Sequence, residues 1–488
     1  MKFPADFLAT FLRATFLLTA FFGAFFETFL AETFGETFFG EVFFEAFLDE
    51  AFLGLVFFLV VLPEAAGDFF FFFVMGREPV RNRLVVGLRF FQLEFSRSAM
   101  STSTDNPVVG SELELDALKW VQNGYTLCRT SEGLPVFLHG ALPGEKVRAR
   151  IVKTRSGHCF ARVEQVLTPA PERLSSDCSA FPACGGCSFR HLDYEAELEL
   201  KLKLLGEFKT LTAALEAAEP RVYSAEPGAY RRAVQIHADP EAGGAGFFAL
   251  HTNDIVPLPK EGCAQLTPAL NQAVRDFSFQ EPGRFSFQDM GESVLTPAGP
   301  TPGGLVRAGL DSFHWDYPAS GFFQNNLHLT PDWLEFLRAA IPDGKPSTLE
   351  LFCGSGVIGG FCRELLGDYR GLDSHRPGIK AARKNFKSRG FQGDFQVEDL
   401  YRSSPDFSGF QLLISNPPRA GMKQKLLREV IRVGTPTILY SSCNPATLDR
   451  DLGILAKEGY GTVKTAVFDF FPRTPHLEVV VLLERKAK

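Results

Sequence analysis

The feature that most narrows the fold is an alternation that begins near Gly309: short apolar β-type runs, each ending in a polar or glycine turn, separated by helical stretches. Thr348-Leu-Glu-Leu runs into Phe352-Cys-Gly-Ser-Gly356, Gly371-Leu ends at Asp373, and Val397-Glu leads to Asp399. Phe410-Gln-Leu-Leu-Ile runs into Ser415-Asn-Pro-Pro-Arg419, and Pro436-Thr-Ile-Leu-Tyr440 into Ser-Ser-Cys443. Strands with no polar face, alternating with helices, imply a parallel sheet covered on both sides. Ligands of such sheets bind outside the carboxyl ends of the strands, so these turns should share one crevice. Glycines after the first strand let backbone approach a nucleoside, and an acid about twenty residues on, here Asp373, can take both ribose hydroxyls.

Cys443 stands at the last of these ends. A helix opening near Asn444 or Pro445 offers unpaired N–H groups and a dipole that favour a thiolate, whereas a lone cysteine is more commonly a small buried apolar residue. The chain closes with Val467–Phe471, a Pro472-Arg-Thr-Pro475 turn and His476-Leu-Glu-Val-Val-Val-Leu-Leu483, which reads as an antiparallel hairpin added to the sheet. Glu478, near the start of an otherwise apolar strand, is costly there unless paired or facing a cleft. It is therefore a candidate for proton transfer.

Upstream, residues 115–170 alternate short β-type runs with glycine turns, as in a small barrel of the oligonucleotide-binding type. Lys146, Arg148, Arg150, Lys153, Arg155 and Arg162 recur on neighbouring runs as a face that can track phosphates. Cys178, Cys184 and Cys187, spaced x5 then x2 in a Gly/Pro loop, are too dense for core filler, and Cys263 is the available fourth. Thiolate-only ligation suits an iron–sulfur cluster or structural zinc, and the lack of paired C-x2-C knuckles favours the cluster. Asp193–Glu219 reads as one long amphipathic helix. Tyr230-Arg231-Arg232 reads either as an RNA contact or as an ordinary strand edge.

Residues 1–99 are a different kind of sequence, Phe-rich and of low complexity, and read as an over-extension of the reading frame ahead of Met100. Their charge-free apolar runs, Ala14–Phe26 and Ala51–Leu62, are shorter than the roughly 18–20 residues a membrane span needs. They hold seven basic against twelve acidic residues, which leaves the body at −2 of the total −7. The local balance is more informative, since residues 116–173 hold nine basic against five acidic. Nine cysteines, unevenly clustered and without an export signal, favour metal or catalytic use in a reducing cytoplasm over a disulfide framework.

Phe323-Gln-x-Asn326, Leu351-Phe-Cys-Gly-x-Gly356, Asn416-Pro-Pro-Arg-Ala-Gly421, Tyr440-x-Ser-Cys-Asn-Pro-x-Thr-Leu-x-Arg-Asp451 and Phe471-Pro-x-Thr-x-His-x-Glu478 together resemble the RNA 5-methyluridine methyltransferases that use S-adenosylmethionine. The resemblance covers residues 115–488. It implies an α/β fold: a Rossmann-like methyltransferase domain at 309–488, an N-terminal OB-fold (TRAM) β-barrel at 115–170 and a central α+β iron–sulfur domain at 171–308; the extension at 1–99 and the polar residues 100–114, read as a flexible tail, lie outside it. It implies that Cys443 adds to carbon 6 of uracil and that Glu478 removes the proton from carbon 5. It further implies that Gln324, Phe352, Asp373, Asp399 and Asn416 hold S-adenosylmethionine, and that Cys178, Cys184, Cys187 and Cys263 hold a [4Fe–4S] cluster. The transfer-RNA branch of that family typically lacks barrel and cluster, so the resemblance points to a uridine of large-subunit ribosomal RNA, with no obligate protein partner. Transfer RNA as substrate, or a non-catalytic iron–sulfur RNA-binding or assembly factor, are the alternatives. Two positions depart from the pattern: Asn416 replaces the usual aspartate, and Val357 stands where some members have asparagine. Asparagine keeps an acceptor, gains donors and loses a charge.

Overall fold

The computed structural model describes residues 57–64, 67–74 and 107–486, with short breaks at 242–243, 292, 298–304, 311–312 and 404. The chain divides into two units, Met1–Thr102 and Ser103–Lys488. In the first, Phe57–Glu64 and Gly67–Val74 form an antiparallel pair; the remainder of the 1–99 extension lies outside the described residues.

Six strands come first: β1 Glu112–Asp116, β2 Lys119–Val121, β3 Tyr125–Arg129, β4 Pro135–His139, β5 Lys146–Arg155 and β6 His158–Thr168. Their order in the sheet is β1-β5-β6-β4-β3-β2, antiparallel except for β4 beside β6. The two edge strands, β1 and β2, are consecutive pieces of one stretch broken only at Ala117-Leu118, so the sheet closes on itself and has no free edge to template aggregation. Alternate residues Val147, Ala149 and Ile151 of β5 fill the interior with Val136, Leu138 and Cys128. The outward basic residues are not bare. Arg148 and Lys146 pair with Glu114, and Arg150 with Glu112 and Glu164, while Arg162 also meets Glu164. Of the six basic residues expected to face phosphates, Lys153 and Arg155 have no carboxylate partner among the described residues.

The long helix expected over Asp193–Glu219 is two helices, α1 Tyr194–Leu205 and α2 Lys209–Ala217. Asp193 caps α1, its carboxylate accepting from the Glu195 N–H at 2.8 Å, and Gly206 ends it. The break turns α2 under the last helix of the chain, where the Leu211 N–H donates to Asp449 at 2.9 Å. A five-stranded antiparallel sheet follows, built from residues 233–239, 244–248, 255–257, 283–289 and 294–295. The helix Pro268–Asp276 covers it, with Val234, Ile236, Leu270, Val274 and Phe287 between. Tyr230 and Arg232 are buried here: the Tyr230 hydroxyl donates to the Pro472 carbonyl and an Arg232 Nη2–H to that of Asp289. The tripeptide lies just ahead of the strand at 233–239, with Tyr230 and Arg232 spent on contacts inside the protein.

The last part is an eight-stranded sheet. Its parallel strands are β7 Thr348–Leu351, β8 Tyr369–Asp373, β9 Asp394–Val397, β10 Leu412–Ser415 and β11 Thr437–Ser442. β12 Tyr460–Phe468 and β13 Glu478–Arg485 join antiparallel, and the short strand Arg221–Tyr223 completes the order β9-β8-β7-β10-β11-β13-β12-Arg221–Tyr223. β7, β10 and β11 are buried at every residue. Leu412, Ile414 and Leu439 face a core with Trp315, Trp333 and Phe386, while Leu413, Ile438 and Tyr440 face one with Leu427, Val430 and Leu452. Burial on both faces explains why these runs carry no polar alternation. The exception, Glu350 in β7, accepts from the Gly359 N–H at 2.9 Å and the Tyr369 hydroxyl at 2.6 Å, and burial pushes its carboxyl up to about 7.

Candidate active site

The strand order reverses between β7 and β10, and a crevice forms at such a switch point. Phe352 and Asn416 are the first residues beyond these two strands. Phe352, Gly354 and Gly356 all have left-handed backbone, with φ of +59°, +54° and +75°. A non-glycine residue held there is strained, and such strain collects at binding sites. Asp373, at the end of β8, accepts from the Gly354 N–H at 2.9 Å and from the His375 N–H at 2.7 Å. One carboxylate thus ties the glycine loop to the next strand. Gln324 is nearly buried, and neither its amide nor that of Asn416 has a hydrogen-bond partner among the described residues. Phe352 packs a tilted ring on Tyr401, 5.5 Å away. Asp399 is exposed in the turn after β9, its carboxylate accepting from the Tyr401 N–H. A left-handed glycine loop and an acid at the second strand end are what a nucleoside cofactor requires.

Cys443 leaves β11 just before the helix α3 Pro445–Lys457, which Asn444 caps through the Ala446 N–H at 3.2 Å. It is half-buried and lines a cavity of about 230 Å³. Ser442 pairs with Val479 across β11 and β13, so Cys443 lies one step beyond that pair and alongside Glu478. Glu478 is buried; its carboxylate accepts from the Ser441 hydroxyl at 2.5 Å, and the Trp333 indole N–H donates to the same hydroxyl oxygen at 3.0 Å. Burial pushes the Glu478 carboxyl up to about 7, against the Ser441 hydrogen bond. The Cys443 thiol is pushed up to about 11 by burial and by Glu478, with Arg419 pulling down through its charge and a hydrogen bond. A backbone N–H lowers it too, in the direction expected of the helix start, but the net shift is upward. Desolvation outweighs it, and the opposing charge is a guanidinium.

The loop from Asp469 to Leu477 delivers Glu478, and buried charge holds it. Lys201 on α1 bonds to Asp469 at 3.0 Å, Glu197 at 2.7 Å and the Phe471 carbonyl at 3.2 Å, all three side chains almost wholly buried. The Arg473 N–H donates to Glu197 at 2.6 Å, and its carbonyl accepts from the Ser188 N–H at 2.7 Å. The residue after Cys187 is thus fastened to the loop that carries Glu478.

Cys178, Cys184, Cys187 and Cys263 are free thiols that influence one another electrostatically. Burial pushes Cys184 up to about 12, and it raises Cys187 and Cys263 too. Among the described residues no three Cys, His, Asp or Glu side chains close around a single-ion position. Arg190 hydrogen-bonds Cys187, Arg231 lies near Cys263, and each guanidinium has a buried Nε–H without a partner. Guanidinium groups beside Cys187 and Cys263 fit an anionic thiolate-bound group.

Sequence reasoning missed Arg419 as a partner of Cys443, and missed most of the cavity wall: Gln122 and Asn123 from the barrel, Leu204, Leu205 and Phe208 from the α1–α2 region, and His476. Arg419 was visible inside Asn-Pro-Pro-Arg. The barrel turn had no signal beyond its turn composition.

Residues 399–486 match the family model described as tRNA (Uracil-5-)-methyltransferase, and 334–438 match the Methyltransferase small domain. An uncharacterised RNA methyltransferase of Leptospira interrogans is 35% identical over 392 residues, 75% of this chain and 93% of that protein. The 23S rRNA (uracil(1939)-C(5))-methyltransferase RlmD of Aeromonas hydrophila is 28% identical over 73% of this chain and 92% of its own length. The crystal structure of Pyrococcus abyssi tRNA (uracil-54, C5)-methyltransferase, in complex with S-adenosyl-L-homocysteine, has the same fold, with a TM-score of 0.57 at 20% identity over 76% of this chain and 99% of that one.

Proposed function

The chain belongs to the family of S-adenosylmethionine-dependent RNA uracil-5-methyltransferases, and from that premise we propose that it methylates carbon 5 of a uridine in 23S ribosomal RNA, with Cys443 as nucleophile and Glu478 as base. The observation that carries the reading is the adjacency of these two side chains at the open end of one sheet, with the sulfur on a cavity. Carbon 5 of uracil is a weak nucleophile. The Cys443 thiol gives up its proton to solvent water beside Arg419, and the thiolate adds to carbon 6, which forms the C–S bond and moves the ring electrons to an enolate. Bound S-adenosylmethionine supplies the methyl group that carbon 5 then takes. Glu478 accepts the proton left on carbon 5, and the electrons of that C–H bond restore the ring double bond as the C–S bond breaks. A carboxyl near 7 suits a group that must accept a proton at neutral pH. Arg419 stabilises the thiolate both before addition and after release.

Gln324, Phe352, Asp373, Asp399 and Asn416 hold the cofactor in this reading, with Asp373 on the ribose. Asn416 keeps an acceptor at its strand end, so its departure from aspartate leaves a hydrogen-bonding group in place. Residues 115–170 are the RNA-binding OB-fold (TRAM) barrel, using Lys153 and Arg155 where Arg148 and Arg150 are neutralised. Cys178, Cys184, Cys187 and Cys263 bind a [4Fe–4S] cluster, supported by the donor set and by the unpartnered Nε–H groups of Arg190 and Arg231 beside it. A reducing cytoplasm keeps such thiols available.

Transfer RNA is the second reading, and one observation favours it. The Pyrococcus enzyme acts on tRNA, yet 99% of it aligns with 76% of this chain, so a barrel ahead of the catalytic domain does not by itself select ribosomal RNA. Mass-spectrometric mapping of 5-methyluridine in a deletion strain separates the two. Loss from 23S rRNA alone supports the first reading, loss from tRNA alone the second, and no loss from either contradicts both.

A further inference from the structure

One wall of the Cys443 cavity belongs to the barrel: Gln122 and Asn123, in the turn between β2 and β3, line it together with Cys443, Arg419 and His476. This turn is fixed from both sides. The Gln122 amide donates to the Leu204 carbonyl at 2.7 Å and to the Glu207 carboxylate at 2.9 Å, which fastens the turn to the end of α1. Gly124 has φ of +72°, and a Cβ there would stand 2.8 Å from that of Ser188, so the backbone already touches the segment that follows Cys187. Between these anchors Asn123 is held at φ +63°, ψ +21°, exposed.

The other polar groups on this part of the wall are committed. Lys201 is spent on Glu197, Asp469 and the Phe471 carbonyl, and Gln122 on α1. The Asn123 carboxamide makes no hydrogen bond among the described residues. A rigid turn that presents an unspent amide to a cavity holding the nucleophile is a recognition device. The amide offers an acceptor and two donor hydrogens, the complement of a base edge where a carbonyl adjoins an N–H.

We propose that Asn123 is a specificity-determining residue that hydrogen-bonds a base of the RNA strand at the mouth of the Cys443 cavity. This rests on the uracil-methyltransferase reading, and it makes the barrel part of the reaction pocket as well as a surface that holds phosphates. Asparagine also tolerates left-handed backbone, so a purely conformational role is the competing account.

Asn123→Gly separates the two, since glycine keeps the left-handed turn and removes the amide. Asn123→Asp keeps the shape and the acceptor and removes the donors. Each full-length variant is assayed for methyl transfer to total RNA from the deletion strain, for Kd on a defined RNA transcript, and for melting temperature. The expected result is a rise of about tenfold in KM and Kd for Asn123→Gly, the scale of one or two lost hydrogen bonds, with kcat and melting temperature unchanged. Asn123→Asp should lose at least as much, because it also repels phosphate. Wild-type KM and Kd in both variants overturn the proposal. Should the wild type bind RNA but leave uridine unmethylated, the function reading fails while the Kd comparison still decides on Asn123.

Discussion

The crevice proposed for the cofactor and the Cys443 cavity lie at the same end of one sheet but are assembled differently. In the crevice most of the residues sit at strand ends, and the tie between them, Asp373 to the Gly354 N–H, spans one strand–helix–strand unit. The cavity draws on the barrel turn at Gln122, helix α1, Arg419 after β10, Cys443 after β11 and His476 before β13. Local chain geometry makes the first; docking of three parts of the chain makes the second. The crevice should therefore survive damage that destroys the cavity.

The largest effects should fall on the cavity alone. Cys443→Ala should lower methyl transfer by roughly 10⁴-fold or more, with S-adenosylmethionine affinity, read by calorimetry, within about twofold of wild type. Glu478→Gln should cost about 10²–10⁴-fold and accumulate a covalent protein–RNA species on denaturing gels, because addition still occurs but the carbon 5 proton is not removed. Lys201→Met leaves Asp469 buried without a cation and Glu197 with only the Arg473 guanidinium at 3.3 Å, and should lower stability by about 3–5 kcal/mol in urea titrations. Cofactor binding at temperatures where that variant is folded should be retained; a lost crevice would erase the distinction.

Smaller effects sharpen the same contrast. The Glu478 carboxyl titrates near 7 folded against an ordinary 4.5, so between those values the folded chain holds more proton than the unfolded one. This group's contribution is complete below about 4.5, falls as pH rises and is gone above about 7, a change of roughly 3 kcal/mol. Glu350 titrates near 7 for the same reason, so Glu478→Gln should remove about half of the combined slope when denaturation midpoints at pH 5 and pH 8 are compared. Asp373→Asn should weaken S-adenosylmethionine about tenfold through its charge-assisted bond to the glycine loop, and leave RNA affinity unchanged.

The same division decides what could be read from the sequence. β10 and β11 were legible because burial on both faces leaves largely apolar runs, and β7, β8, β10 and β11 because Phe352-Cys-Gly, Asp373, Asn416 and Cys443 stand where those strands end. The break at Gly206–Phe208 was not legible, since leucine spacing continues across it; only the docking of α2 under α3 demands the turn. Arg148 and Arg150 looked like a phosphate face because cross-strand register, which sets them beside Glu112, Glu114 and Glu164, is absent from a one-dimensional pattern. The Cys443 thiol was expected to be eased toward its anion by a helix start. Burial holds it as the thiol first of all, with Glu478 adding to that and Arg419 opposing it, and both side chains come from parts of the chain distant in sequence.

The central claim is that the Cys443 sulfur reaches carbon 6 of a uracil in RNA. Fluorine at carbon 5 cannot leave as a proton, so 5-fluorouridine RNA with S-adenosylmethionine should freeze the adduct before Glu478 completes the cycle. The account predicts a stable complex whose digested peptide, by mass spectrometry, carries the methylated fluorouridine on Cys443 and disappears in Cys443→Ala. A complex of equal yield in Cys443→Ala, or no complex with the wild type, would contradict it.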